Sequence, residues 1–164
     1  MIQPYLWERA VQYAHEWAYS RNPRFYNYDQ IGGDCTNFVS QCVYAGSGVM
    51  NDTPTFGWYY INGNLKSPSW TGVEYFYRFM TREIGDCGPV GRACSVRYAQ
   101  PGDVIQLSFD GIRFTHSLLV VSDIRTIFLS EKLVAAHSDD TDDRSLSSYQ
   151  FKKARCIHIT GVRV

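Results

Sequence analysis

The sequence has no surplus of either charge. Its 16 lysines and arginines balance 16 aspartates and glutamates, and the basic residues form no stripe or cluster. That removes the electrostatic case for binding nucleic acid or an anionic membrane. There is no long apolar run and no basic-then-apolar leader. The opening, Met1 to Arg9, reads as the start of an amphipathic helix, so neither a membrane span nor an export signal is expected. Close-spaced pairs of cysteine and histidine, the usual mark of a zinc site, are missing, which argues against a metal bound by Cys35, His116 and His137. The acidic run Asp139 to Asp143 lacks the central glycine and distal glutamate of a calcium loop. It reads as a solvated turn in which Asp142 or Asp143 caps a short segment, Leu146 to Phe151. No metal or organic cofactor is expected.

What the chain does have is material for one core. With 164 residues, 45% of them hydrophobic, it is read as a single domain spanning 1–164. Its 15% aromatic content crowds into the first helix and the stretch after Gly46. The helix is expected from Pro4 to Ser20, with Leu6, Ala10, Ala14 and Trp17 along one face. The irregular stretch Ser47 to Trp70 holds Phe56, Trp58, Tyr59 and Tyr60. A loop this long and aromatic reads as an ordered wall of a substrate cleft, against the alternative that it covers the core. Thr71, with Glu74 at capping-box spacing, is expected to start a helix carrying Val73, Phe76, Tyr77, Met80 and Ile84 on its apolar face.

The densest chemical signal lies at Gly32-Gly33-Asp34-Cys35-Thr36-Asn37. A glycine pair delivers a cysteine to the first position of a helix whose spaced apolar residues, Phe38, Val39, Cys42 and Val43, end at Gly46. A thiol at that position faces the positive end of the helix dipole. Free backbone N–H groups there stabilise a thiolate and accept a developing oxyanion. Five cysteines leave at least one thiol unpaired. Cys42 and Cys156 read as small core residues. Cys87 and Cys94 flank a loop that a disulfide can close, with two unlinked thiols as the alternative in a reducing compartment.

A partner for Cys35 comes from a hairpin. Gln100 to Phe109 turns at Pro101-Gly102 and then alternates, Asp110-Gly111 forms a turn, and a second strand runs from Arg113 to Val121. His116 shares a face of that strand with Phe114, Leu118 and Val120, and is expected to point into the layer between sheet and helix. A third strand, Lys132 to Ser138, brings His137, which would hold His116 in the tautomer a general base needs. Asp139 and Asp140 are the alternatives for that orienting role.

These motifs together resemble the putative amidase domain family, relatives of the NlpC-type and CHAP-type cell-wall amidohydrolases. The similarity is carried by Ala10-Val11-Gln12-Tyr13-Ala14, GGDCTNFVSQCVYAG, Gln100-Pro101-Gly102-Asp103-Val104-Ile105-Gln106, Thr115-His116-Ser117-Leu118-Leu119-Val120, and His137-Ser138-Asp139-Asp140-Thr141 with Leu146 and Tyr149 behind it. It covers nearly the whole chain. The resemblance implies an α+β fold of papain-like type, an antiparallel sheet packed on the Cys35 helix. It implies hydrolysis of a peptide-type amide, possible substrates being peptidoglycan stem peptides, with Cys35, His116 and His137 as the catalytic set. In related hydrolases an upstream polar side chain completes the oxyanion hole; Gln30 is the candidate, with Asn27 and Tyr28 as alternatives. Asp34 suggests recognition of a substrate amine. A thiol acyltransferase or ligase would use the same Cys–His pair, and a peptide- or carbohydrate-binding module would keep the aromatic cleft without the chemistry. Such cell-wall enzymes act outside the membrane, whereas the missing leader points to the cytoplasm. Location and oligomeric state are therefore left open.

Overall fold

The computed structural model describes all residues except 84, 128 and 129. In chain order the elements are β1 (Ile2–Gln3), α1 (Trp7–Trp17), α2 (Cys35–Ser47), β2 (Tyr60–Asn62), β3 (Leu65–Lys66), α3 (Pro68–Thr71), α4 (Val73–Met80), β4 (Gly88–Cys94), β5 (Val104–Ser108), β6 (His116–Arg125), β7 (Ser130–Ala136), β8 (Thr141–Ser145) and β9 (Lys153–Arg163). This is an α+β architecture. The main sheet runs β1-β9-β5-β6-β7-β8, with β4 also paired to β9, and every pairing is antiparallel. Among the described residues no helix is long and apolar enough to cross a membrane.

Two apolar clusters sandwich the sheet. On one face Leu119 and Val121 of β6 and Ala135 of β7 pack with Ala10 and Ala14 of α1 and Phe38, Val39, Cys42 and Val43 of α2. On the other, Leu118, Val120, Val134, Ala136 and Cys156 gather under Leu146. This division follows from strand periodicity, since neighbouring residues point to opposite faces.

Helix α1 is shorter than Pro4 to Ser20, and its buried stripe is made by Ala10, Ala14 and the following Ala18; Leu6 is exposed. Small alanines let α2 approach closely. Helix α2 does not stop at Gly46. A Cβ at Gly46 would lie 2.5 Å from the Tyr5 ring, so this glycine admits Tyr5 from inside the helix. The helix ends two residues later at Gly48, whose φ of 66° provides the left-handed cap.

Thr71 closes α3 instead of opening a helix. Gly72 caps α4, and Glu74, freed from a capping box, pairs with Arg155 at 2.8 Å. Ile84, expected to end the apolar face of that helix, lies outside the described residues.

The stretch from Ser47 to Trp70 is ordered by an Asn51–Trp58 bridge and the β2–β3 hairpin. Its tryptophans face inward. Trp58 and Trp70 are fully buried with ring centroids 4.8 Å apart, and the Trp58 indole donates to Ser40 Oγ. Trp58 is thus a core residue, and the covering role prevails over a cleft wall at that position.

All five cysteines are free. Cys87 immediately precedes strand β4 and Cys94 ends it, so the two lie roughly 20 Å apart at the rise of an extended strand, far beyond disulfide reach. Cys94 instead lies opposite Cys156.

Candidate active site

Gly32 and Gly33 take φ of 83° and 98°, a region that only glycine enters without strain. The Tyr28 carbonyl accepts from the N–H groups of Ile31 and Gly33, folding the chain into a tight loop that hands over to α2. Cys35 is the first residue of that helix, where N–H groups have no intrahelical partner. Its side chain is nearly buried, at 9% exposure. Sγ lies 4.0 Å from the Thr115 carbonyl, and the Ser117 N–H and Thr36 also interact with it. The sulfur therefore rests on the backbone on either side of His116. Thr36 Oγ1 and Ser117 Oγ, 3.0 Å apart, tie the helix start to β6.

The position does not by itself yield a free thiolate. Burial pushes the Cys35 thiol up, and the nearby Asp34 adds to this, against the lowering effect of the Ser117 and Thr36 hydrogen bonds. Removal from water outweighs the hydrogen bonds from Ser117 and Thr36. Ionisation needs a base.

His116 opens β6. Because Ser117 points to the helix, His116, Leu118 and Val120 point to the other face. The shared face read from the sequence holds, but it is not the layer between sheet and helices. The imidazole is 8% exposed, with the rings of Phe109 and Tyr149 at centroid distances of 6.4 and 6.0 Å. Among the described residues neither ring nitrogen has a hydrogen-bond partner. Burial above all, with Arg144 adding to it and Asp139 opposing, lowers its pKa to about 4. At neutral pH this is an uncharged imidazole. It borders a cleft of 530 Å³ lined by Phe109, Thr115, Ser138, Asp139, Arg144 and Tyr149, among others. A second cavity of 480 Å³ lies against α4, around Phe56, Tyr75 and Arg82, and none of the candidate residues lines it.

His137 follows β7 but does not orient His116. Its Nδ1 is 2.6 Å from Asp34 Oδ2, its Nε2 is 2.8 Å from the Trp17 carbonyl and 3.2 Å from Arg21 Nη1, and the ring stacks on Phe38 at 4.0 Å. Both nitrogens are occupied. Asp34, fully buried, also accepts from the Tyr28 N–H at 2.9 Å and from Asn37 Nδ2 at 2.8 Å. The carboxylate is committed to this internal network, which braces the Cys35 loop and leaves it turned away from any substrate amine. Of the alternatives to His137, Asp140 pairs with Arg21 at 2.9 Å, whereas Asp139 lines the His116 cleft.

Gln30 lies exposed on the loop before the glycine pair, as does Asn27; Tyr28 is buried, its hydroxyl donating to the Gly63 carbonyl. Among the described residues, potential metal ligands converge at His15, Asp142 and Asp143, within 4.8 Å of one another, and not at Cys35, His116 and His137. The His15–Asp142 contact, 2.7 Å, joins α1 to β8 on the surface.

Several residues around the site had no assigned role in the sequence reading. Gln106, fully buried on β5, donates to Ser117 Oγ and the Val73 carbonyl and accepts from Arg155 Nε, connecting the helix start to Glu74. A buried glutamine in the Gln100 to Gln106 motif was a signal for such a network. Arg21 and Arg144 gave no comparable signal, since their partners are brought in by tertiary folding.

The sequence model of the putative amidase domain matches residues 4–160. An uncharacterized protein of Bacillus subtilis (strain 168), YhbB, is 35% identical over 116 residues, which is 69% of this chain and 36% of that protein. The chain thus spans about a third of the relative's length. No solved structure matches.

Proposed function

On the premise that the chain belongs to the putative amidase domain family, we propose that it is a cysteine-dependent amidohydrolase of papain-like type acting on a peptide-type amide. One observation carries the reading. The Cys35 sulfur, at the start of α2, lies against the backbone that bears His116, and the imidazole of His116 has no competing partner among the described residues.

In the proposed reaction the neutral imidazole of His116, which rests on the sheet face away from α2, turns about the start of β6 toward Sγ and takes the Cys35 proton as sulfur attacks the amide carbonyl. A base is required because burial keeps the resting thiol protonated. The tetrahedral oxyanion is held by the Cys35 N–H and one further upstream donor, for which Gln30 is the side-chain candidate. The imidazolium then protonates the leaving amine, a thioester remains on Cys35, and water attacks with His116 again as base. The Asp34–His137 pair acts as a positioning element behind the loop, and Asp139, whose charge favours the imidazolium, tunes His116. Stem peptides of peptidoglycan are the substrate class suggested by the resemblance to NlpC-type and CHAP-type enzymes.

The test is incubation with a panel of peptide amides and peptidoglycan fragments, with products and intact protein followed by mass spectrometry. Hydrolysis, an acyl adduct on Cys35, and loss of both in Cys35→Ala and His116→Ala are expected. Products containing an added amine instead of water would assign the acyltransferase reaction. Turnover undiminished in Cys35→Ala would reject the thiol mechanism.

A further inference from the structure

We infer that Arg144 and Tyr149 form a subsite for a free carboxylate, so that the preferred ligand is a peptide carrying an acidic side chain or terminal carboxylate next to the amide at His116. Cleavage of the bound peptide rests on the proposed amidase reading, whereas its binding rests on the cleft alone.

Arg144 is the cation among the described residues lining the 530 Å³ cleft that holds His116. Its guanidinium is already oriented. Nε donates to Ser148 Oγ at 2.8 Å, and the plane lies over the Tyr149 ring at 3.7 Å from the centroid. An arginine stacked and anchored in this way loses little side-chain freedom on receiving a carboxylate. It already holds one. Nη1 is 3.3 Å from Asp139 Oδ2, a long contact to a side chain that is 87% exposed. Asp139 thus occupies the place of a ligand carboxylate without being fixed there, and surface pairs of this kind add little stability.

A second observation points to the same spot. The hydroxyl of Tyr149 is buried and its O–H finds no acceptor among the described residues, the Arg144 guanidinium being its polar contact. A buried phenol seldom goes unpaired in the absence of a ligand. A carboxylate that displaces Asp139 from Arg144 would accept from this hydroxyl as well. The subsite also explains the company of His116: the Tyr149 ring lies 6.0 Å from the imidazole, so a carboxylate at Arg144 places a neighbouring amide beside the proposed base.

The test uses the Cys35→Ala protein, in which turnover is blocked, and two pairs of probes: acetyl-Glu-Ala-amide and acetyl-Ala-Glu-amide against their glutamine counterparts. Affinity is measured by calorimetry, with the Tyr149 and His116 ring signals followed by NMR to locate the probe. A charge-assisted contact predicts that at least one glutamate peptide binds about tenfold or more tightly than its glutamine counterpart. Arg144→Gln should erase that preference, Arg144→Lys should restore part of it, Tyr149→Phe should reduce it, and Asp139→Asn should tighten glutamate binding by removing the internal competitor. Equal affinity within both pairs, a preference that survives Arg144→Gln, or no binding of any probe would overturn the inference. A carboxylate preference in a protein that cleaves no amide would retain the subsite and reject the hydrolase reading.

Discussion

Replacing Asp34 by alanine removes one carboxylate from four neighbours at once. The Tyr28 N–H, Asn37 Nδ2 and His137 Nδ1 lose an acceptor at 2.9, 2.8 and 2.6 Å, and Arg21 Nε loses an anion at 3.6 Å. Water cannot take over, because the side chains of Asp34 and His137 are each 1% exposed. Breaking a buried pair by removing one partner costs about 3–5 kcal/mol. In a domain of this size each kcal/mol lowers Tm by about 2–4 °C, so a drop of about 6–20 °C is expected. Urea unfolding followed by tryptophan fluorescence is a suitable assay, since Trp58 and Trp70 are fully buried reporters. Asp140→Ala is the control: that side chain is 30% exposed and pairs with the same Arg21, and its loss should cost about 1 kcal/mol or less. If Asp34→Ala were no more destabilising than Asp140→Ala, the argument that this carboxylate holds the Cys35 loop would be refuted.

Three further outcomes follow from the structure. His116 is neutral in the folded state down to about pH 4, whereas an unfolded histidine takes its proton near 6.5. In that window the unfolded chain binds more protons, so stability should fall by about 3 kcal/mol as pH drops from 6.5 to 4. His116→Gln should remove that slope in pH-dependent urea melts, and the acid limb of kcat/KM should lie near 4 instead of 6.5. Trp58→Ala should destabilise by about 3–5 kcal/mol through the cavity it leaves; Trp58→Phe should leave the KM for a cleaved amide unchanged, which a cleft-wall role would not permit. Gly102→Ala should cost about 2–3 kcal/mol in chemical denaturation, because φ is 90° there and the added carbon would lie 2.6 Å from Trp7 Cβ.

The local parts of this architecture were legible because they depend on neighbours in sequence. The glycine pair, the apolar spacing after Cys35 and the turns at Pro101-Gly102 and Asp110-Gly111 located α2, β5 and β6 to within a few residues. The face of His116 is not legible from the alternation of its strand. Leu118, Leu119, Val120 and Val121 are apolar at every position, so both alternating sets suit a core, and only the Thr36–Ser117 contact decides which set meets the helices. The sequence brings His137 toward the site but does not reveal its partner. Asp34 lies 103 residues away, and adjacency to Cys35 suggested a solvent-facing role that full burial removes. Arg144 was hidden by its setting in an acidic turn, where a cation reads as surface neutralisation until Tyr149 and His116 are brought alongside it.

The pH dependence of Cys35 alkylation by iodoacetamide, read by peptide mapping in the wild type and in His116→Asn, decides whether the two residues form a pair. With such a pair, Cys35 should label faster than the buried Cys42 and Cys156 near pH 7, and loss of the imidazole should slow it about tenfold or more. Labelling of Cys35 at one rate in both proteins, no faster than Cys42 and Cys156, would contradict a Cys35–His116 pair and leave Cys35 a structural thiol.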